Sequence, residues 1–566
     1  MVNVLNPSLA LLTDLYELTM AYGYWKSGIA EREAVFHLSF REAPFGGQYS
    51  VAAGLAGAID YLKKLQIGDG DLAYLAKLTG EDGRPLFDRS FLVHLRRMRF
   101  TLDVDGVPEG TVVFGNEPLL RVKGPLLQAQ LVETALLNLI NFQTLIATKA
   151  ARICQAARGE PVLEFGLRRA QGIDGAISAT RAAYIGGCAA TSNVLAGKIF
   201  NIPVKGTHAH SWVMSFDSEV EAFEAYAKAM PNNVIFLVDT YDTIEGIRHA
   251  ISVGKQMRER GHRLLGIRLD SGDLAYLSIE ARRMLDEAGF NDAQILATND
   301  LDEHLIADLK QQGAKITVWG VGTRLVTAYD QPALGGVYKL SAIREDAGWQ
   351  HKVKISEQSA KVSIPGILQV RRFSDGSHFA ADAIYDTLTG IDEGCTIVDP
   401  ADFIRRKTMV PGTAFEDLLV PIFREGRPVY EQPAFSDIRQ RTIAQLAKLH
   451  GSVKRFLNPH RYPAGLELNL FNLRTDLIAK SRGEIVAQPQ LAPPVEHVEV
   501  APAPAESVQP IESAPTTPSE PIEQTPQRPK FSGIGAKRGQ VPAGSNVRVR
   551  VNPALRSGLT PRGKNS

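Results

Sequence analysis

VIFLVDTYD (Val234 to Asp242), LLGIRLDSGD (Leu264 to Asp273), QILATND (Gln294 to Asp300) and ITVWGVGT (Ile316 to Thr323) decide the fold. Each is a short apolar run rich in Val, Ile and Leu that ends in polar residues, and a helix-like stretch follows each of the first three. Such alternation reads as successive βαβ units of a parallel sheet or barrel. The polar clusters fall at the carboxyl ends of the strands, the edge that carries the active site in parallel α/β folds. Chain order therefore gathers Asp239, Asp242, Arg268, Asp270, Asp273, Asn299, Asp300 and Thr323 around one opening.

The rest of the chain sets bounds on that reading. It has 566 residues, 44% hydrophobic and 22% charged, with a formal net charge of +1. That is enough apolar content for a large core, and there is no global field to attract nucleic acid or a membrane. Cys154, Cys188 and Cys395 are far apart and form no Cys-x-x-Cys pair, so neither a disulfide framework nor a cysteine-rich metal site is expected. The amino terminus lacks a basic flank with a long apolar core, and no run of about 18 apolar residues occurs. A soluble protein of a reducing cytoplasm is the expectation.

Residues 8–27 are expected to form a helix starting near Thr13 or Asp14, and residues 31–125 to mix strands and helices. AVFHLSF alternates as a strand, and FLVHLRRMRF continues the pattern; GTVVFGNEPLLRVKGP reads as a hairpin turning at Gly115 and Asn116. Residues 126–150 read as one long apolar helix, and 160–340 carry the repeated units. Residues 340–425 return to short strands (KLSAIRE, HKVKIS, GILQVRRF). The expected organisation is an amino-terminal α+β domain over 1–125, completed by 340–484, around a catalytic α/β barrel over 126–340. Residues 485–566 hold 14 of the 32 prolines and one aromatic, Phe531. They cannot bury enough apolar surface to offset their ordering entropy, so a disordered tail is expected. Its acidic part, 485–523, and basic part, 524–566, are segregated, which suits a solvated tail or a basic end touching an anionic partner.

Several clusters suit chemistry. Arg268 and Asp270 sit two apart, on one face of a strand. A charged pair ending an apolar strand is hard to explain by packing. Asp270 and Asp273 could hold ribose hydroxyls or Mg²⁺; Asp273 could instead cap the following helix. Gly320, Gly322 and Thr323 form a turn whose N–H groups and hydroxyl suit a phosphate, and Gly335–Gly336 extends that surface or is only a turn. In KGTHAHSW, His208 and His210 have the spacing of a metal-ligand pair, or one supplies a nucleophile or base; their place in a turn speaks against a merely structural histidine. Arg168 and Arg169 after VLEF could clamp a pyrophosphate or lie solvated.

TDLYELTMAYGY, EFGLRRAQGIDGA, KGTHAHSW, LVDTYDT, GIRLDSGDL and VWGVGTRL, in this order over roughly residues 8–475, resemble the nicotinate phosphoribosyltransferases. The resemblance implies an irregular α/β barrel plus a second domain built from both chain ends, with active sites shared across a homodimer. It implies the first step of NAD biosynthesis from nicotinate, which is joined to 5-phosphoribosyl 1-diphosphate (PRPP) with Mg²⁺ and coupled ATP hydrolysis. By motif, His210 would be the phosphorylated histidine. Tyr16, Thr207 and Arg268 would contact nicotinate, Asp239 would lie near the pyridine ring, Asp270 would hold ribose hydroxyls, and Thr323 would touch a PRPP phosphate. Other classes stay open: a barrel metallohydrolase using His208 and His210, a non-catalytic scaffold, or a phosphoribosyltransferase for nicotinamide or quinolinate.

Overall fold

The computed structural model describes residues 9–358 and 361–483; the expected disordered tail lies outside the described residues. Four strands expected from the opening series are present as Ile235–Leu237, Gly266–Leu269, Gln294–Ala297 and Val318–Val321. They join Val162–Glu164 and Ala190–Thr191 in a six-stranded parallel sheet. Their interiors are almost wholly apolar and buried, as a sheet covered on both faces requires. Helices Thr243–Glu259, Leu274–Glu287 and Glu303–Gln311 follow three of the strands. Asp242, Asp273 and Asp302 cap them through side-chain oxygens.

The sheet curls into a barrel because the last strand, Val318–Val321, pairs with the first, Val162–Glu164. One gap remains, between Ala190–Thr191 and Ile235–Leu237, which are the two edges of the ladder. Residues 203–208 fill it. Val204 makes an isolated parallel bridge with Thr191, and His208 Nε2 accepts the N–H of Leu237 at 3.2 Å. An imidazole thus takes the place of a ladder carbonyl. Its ring packs beside Tyr226, 4.8 Å between centroids. This is the irregularity in the barrel, and it gives His208 the structural role that its position in the sequence seemed to argue against.

Both chain ends supply the second part. A seven-stranded sheet interleaves Glu33–Phe40, Asp103–Gly106 and Pro118–Pro125 with Gly336–Glu345, Gly348–His351, Val420–Arg424 and Arg427–Pro428. Its centre is antiparallel, with His37 opposite Lys339 on one side and Arg121 on the other. A further six-stranded sheet comes from residues 368–467 alone.

Local expectations fail where long-range partners decide. FLVHLRRMRF is helical from Phe91 to Arg97, within the helix Arg89–Arg97, because Phe91 and Leu95 are four residues apart and both buried in the cluster that includes Leu18 and Phe87. GTVVFGNEPLLRVKGP turns at Asn116, φ 70°, but is no hairpin. Val112–Val113 pairs with Ser50–Val51, while Pro118–Pro125 pairs with Glu33–Phe40 and Asp103–Gly106. The long helix divides into Leu126–Leu131 and Glu133–Ala156. At the break, the N–H of Thr134 turns to the buried carboxylate of Glu17 at 3.0 Å. The first helix spans only Leu15–Lys26. In HKVKIS only His351 is in a strand.

Candidate active site at the carboxyl edge of the barrel

The strand ends open into a cavity of about 460 Å³. Its walls include Arg168, Arg169, Thr207, Arg268, Asp270, Asn299, Asp300, Gly320, Gly322 and Thr323. Arg268 is its most constrained side chain. Nε donates to Thr298 Oγ1 at 2.9 Å, Nη1 to Thr207 Oγ1 at 3.2 Å and Nη2 to Asp270 Oδ1 at 2.9 Å. Two strand ends and the 203–208 segment thereby fix one planar cation. The Thr298 hydroxyl donates a very short bond to the same oxygen of Asp270. Burial alone would raise the Asp270 carboxyl, but the Thr298 hydrogen bond and the Arg268 charge outweigh it and hold the group below its usual range.

Asp239 stands behind this pair rather than on the cavity wall. Its Oδ2 accepts from the N–H of Asp270 and from Ser271 Oγ, both at 2.7 Å. Its Oδ1 is buried without a partner. His210 opens the helix His210–Val213, with Nδ1 3.2 Å from Thr240 Oγ1 and Nε2 3.6 Å from Asp270 Oδ2. It is the half-exposed histidine of the two. His208 points inward, and burial pushes its pKa down to about 4. With Nε2 committed to Leu237, it cannot join His210 as a metal ligand, which removes the basis of the His-x-His reading. Among the described residues no cluster of three His, Cys, Asp or Glu side chains is placed to hold a metal.

The opposite wall suits anions. Arg168 and Arg169 lie on a 3₁₀ turn, Leu167–Arg169, both exposed and without an ion-pair partner among the described residues. That turn is held from below by buried Glu164, which accepts from the N–H of Gly166, and from Thr180 and Thr191 at 2.9 and 2.6 Å. Gly320 is required by space: a Cβ there would come within 2.5 Å of Thr298 Cγ2. A Cβ on Gly322 would reach the carbonyl of Phe165 at 3.0 Å. Of the residues gathered by chain order, Asp242 and Asp273 are helix caps. Tyr16 is exposed on its helix and does not line the cavity of its own chain. Thr298 and Glu164 escaped the sequence reading. Thr298 had a signal, since it stands at a strand end just before Asn299.

Unpaired guanidinium groups and a glycine turn face carboxylates across a crevice at the mouth of a parallel barrel, as befits an enzyme acting on a phosphorylated sugar. Comparison with known proteins narrows the class. Residues 11–141, 161–364 and 369–474 match the models of the nicotinate phosphoribosyltransferase N-terminal domain, family and C-terminal domain. The chain belongs to the nicotinate phosphoribosyltransferase family and is an enzyme of NAD biosynthesis. It is 47% identical to nicotinate phosphoribosyltransferase of Bacillus subtilis, over 85% of this chain and 97% of the relative. Identity to nicotinate phosphoribosyltransferase 2 of Arabidopsis thaliana is 37%, over 82% and 94%. The crystal structure of human nicotinic acid phosphoribosyltransferase superposes with a TM-score of 0.72 at 32% identity, covering 82% of this chain and 99% of that one. No helix among the described residues is long and apolar enough to cross a membrane.

Proposed function

We propose that this chain joins nicotinate to PRPP, giving nicotinate mononucleotide and pyrophosphate, coupled to ATP hydrolysis through His210. The observation that carries the reading is Arg268, locked by Thr298, Thr207 and Asp270 in the same cavity as the Gly320–Thr323 turn. A fixed planar cation suits a carboxylate, and the turn suits the phosphate of the sugar. The pyridine nitrogen attacks the anomeric carbon with its own lone pair. The C–O bond to pyrophosphate breaks, and the leaving group takes the electron pair. No base is needed. Arg168 and Arg169 neutralise the departing charge, while Asp270 holds the ribose hydroxyls. Asp239 fixes the Asp270 turn from behind and lies on the pyridine side.

The oxygen-rich wall fits Mg²⁺. Asp300 and Asn299 are exposed and line the cavity beside the Asp270 carboxylate. Magnesium needs only one or two protein carboxylates beside substrate phosphates and water. When bound it screens the charge on the pyrophosphate. In the coupling half-reaction, an imidazole nitrogen of His210 takes the γ-phosphoryl of ATP and ADP leaves. The phosphoryl group adds negative charge beside Asp270 and rearranges the PRPP end of the site. Its hydrolysis after turnover resets the enzyme.

Tyr16 completes the site from a second copy in a homodimer. It is exposed at 46% on a helix whose other face is buried, and it is absent from the cavity of its own chain. The reading is of a cytoplasmic enzyme. Pyrophosphate release followed on mixing tests it: release should require nicotinate and PRPP together and accelerate with ATP. Release with PRPP alone would point to a hydrolase.

A further inference from the structure

A second set of charges lies just behind the cavity walls. Arg324 follows Thr323 in the phosphate turn, and Asp302 lies two residues beyond Asp300. Neither lines the cavity. Arg324 Nη1 donates to Asp302 Oδ2 at 2.9 Å, and the guanidinium lies over the Tyr329 ring, 5.0 Å from its centroid. The other oxygen, Oδ1, accepts from the N–H groups of His304 and Leu305 at 3.0 and 2.8 Å. One carboxylate thus ties the phosphate turn to the start of the helix that follows the acidic turn.

The pair has a buried foundation. Asp330 Oδ1 is 3.8 Å from Arg324 Nη1, and its Oδ2 accepts from Lys149 Nζ at 2.5 Å. Lys149 and Arg152, three apart on the long helix Glu133–Ala156, each approach Glu303 at 2.7 Å. Lys149 and Glu303 are fully buried. Within the 298–300 wall, Asn299 takes φ 93°, a left-handed backbone that asparagine adopts more readily than most residues with a Cβ.

We propose that Arg324 and Asp302 are positioning residues for the sugar-phosphate substrate. Their ion pair holds the turn 320–323 and the turn 298–300 at a set spacing, so that PRPP meets both walls already formed. The inference rests on the reading of this cavity as the PRPP site. Nicotinate is held by Arg268 and Thr207, which touch neither member of the pair; Thr298, which fixes Arg268, is anchored separately by its own N–H to the carbonyl of Leu269 at 2.9 Å.

The test is steady-state kinetics, with calorimetric binding of inorganic phosphate, on the wild type, Arg324→Met, Asp302→Asn and the double variant. Asparagine still caps a helix, so Asp302→Asn removes the ion pair and keeps the cap. Each single variant is expected to raise the KM for PRPP about tenfold, the size of a coupled pair, with kcat and the KM for nicotinate within about twofold. The double variant should be no worse than either single one, and phosphate affinity should fall by the same factor. Arg324→Lys should recover part of the loss. An unchanged KM for PRPP in either single variant, or effects that multiply in the double, overturns the proposal. So does a fall in kcat at constant KM together with a lower Tm, which would make the pair mere scaffolding. If the wild type does not consume PRPP, the functional reading fails, and phosphate binding alone decides whether the pair positions the anion turn.

Discussion

Replacing Arg268 with alanine removes the cation that two strand ends and the 203–208 segment are built to hold. Its side chain is only 15% exposed and donates to Thr298, Thr207 and Asp270. Truncating one partner of a largely desolvated, hydrogen-bonded charge pair costs about 2–5 kcal/mol. At 1.4 kcal/mol per factor of ten, kcat/KM with nicotinate should fall by roughly 30- to 4,000-fold. The upper half of that range is expected, because Asp270 also loses its main cation. Arg268→Lys keeps the charge but not the fork, so it should recover about tenfold of the loss without restoring the wild-type rate. A pH signature accompanies the rate. The folded Asp270 carboxyl sits below its usual range, held there by Thr298 and Arg268 against burial. Removing the arginine raises it, so the acid limb of the pH–rate profile should move to higher pH. Initial rates across pH on variants with wild-type circular dichroism make the measurement. Near-normal kinetics in both folded variants would place Arg268 outside the site.

His210→Ala should abolish ATP stimulation and phosphate incorporation while slow PRPP-dependent synthesis persists; full ATP coupling in the variant would remove the histidine from that role. Mixing Tyr16→Ala subunits with His210→Ala subunits, neither of which shows ATP-coupled activity alone, should restore some ATP-coupled activity, because one site of a mixed dimer carries both native residues. No recovery despite proven exchange would assign Tyr16 to its own chain. Glu303 is a buried carboxyl and Asp330 a more exposed one; desolvation would raise both, but the charge and hydrogen bond of Lys149 beside each outweigh it and hold them below their usual values. Their stabilisation is complete above the unfolded carboxyl range and is lost as pH falls through the lowered folded values. Tm should therefore be flat near neutrality and drop below about pH 4.5. Lys149→Met should cost about 3–5 kcal/mol in denaturant unfolding at neutral pH, since it strands a buried carboxylate. A loss under about 1 kcal/mol would mean that Arg152 alone satisfies Glu303.

The barrel was legible because its strands are fully buried runs and its chemistry sits where they end. Arg268, Asp270, Thr323 and the glycines of the turn are strand-end positions, readable from order alone. Asp242 and Asp273 occupy the same kind of position and serve as caps; the distinction depends on whether the carboxylate meets its own helix or an arginine across the mouth. His208 shows the limit more sharply. Its role is to accept the N–H of Leu237, 29 residues away, at the one place where the ladder is broken. No local pattern announces such a bond. The same holds for the break at Val132, which answers to Glu17 more than a hundred residues earlier, and for Val112–Val113, whose partner strand lies behind it in the chain. Helix Arg89–Arg97 was misjudged for a different reason: its apolar spacing fits two periods, and the aromatic cluster beneath it selects the helical one.

The cavity at the mouth of the barrel selects nicotinate as the base that meets PRPP. That selectivity is measured by the product formed when the purified enzyme, with PRPP, Mg²⁺ and ATP, is offered nicotinate, nicotinamide and quinolinate separately at equal concentration. Nicotinate mononucleotide should be the dominant product, formed faster with ATP than without. Equal or faster mononucleotide formation from nicotinamide or quinolinate would contradict it.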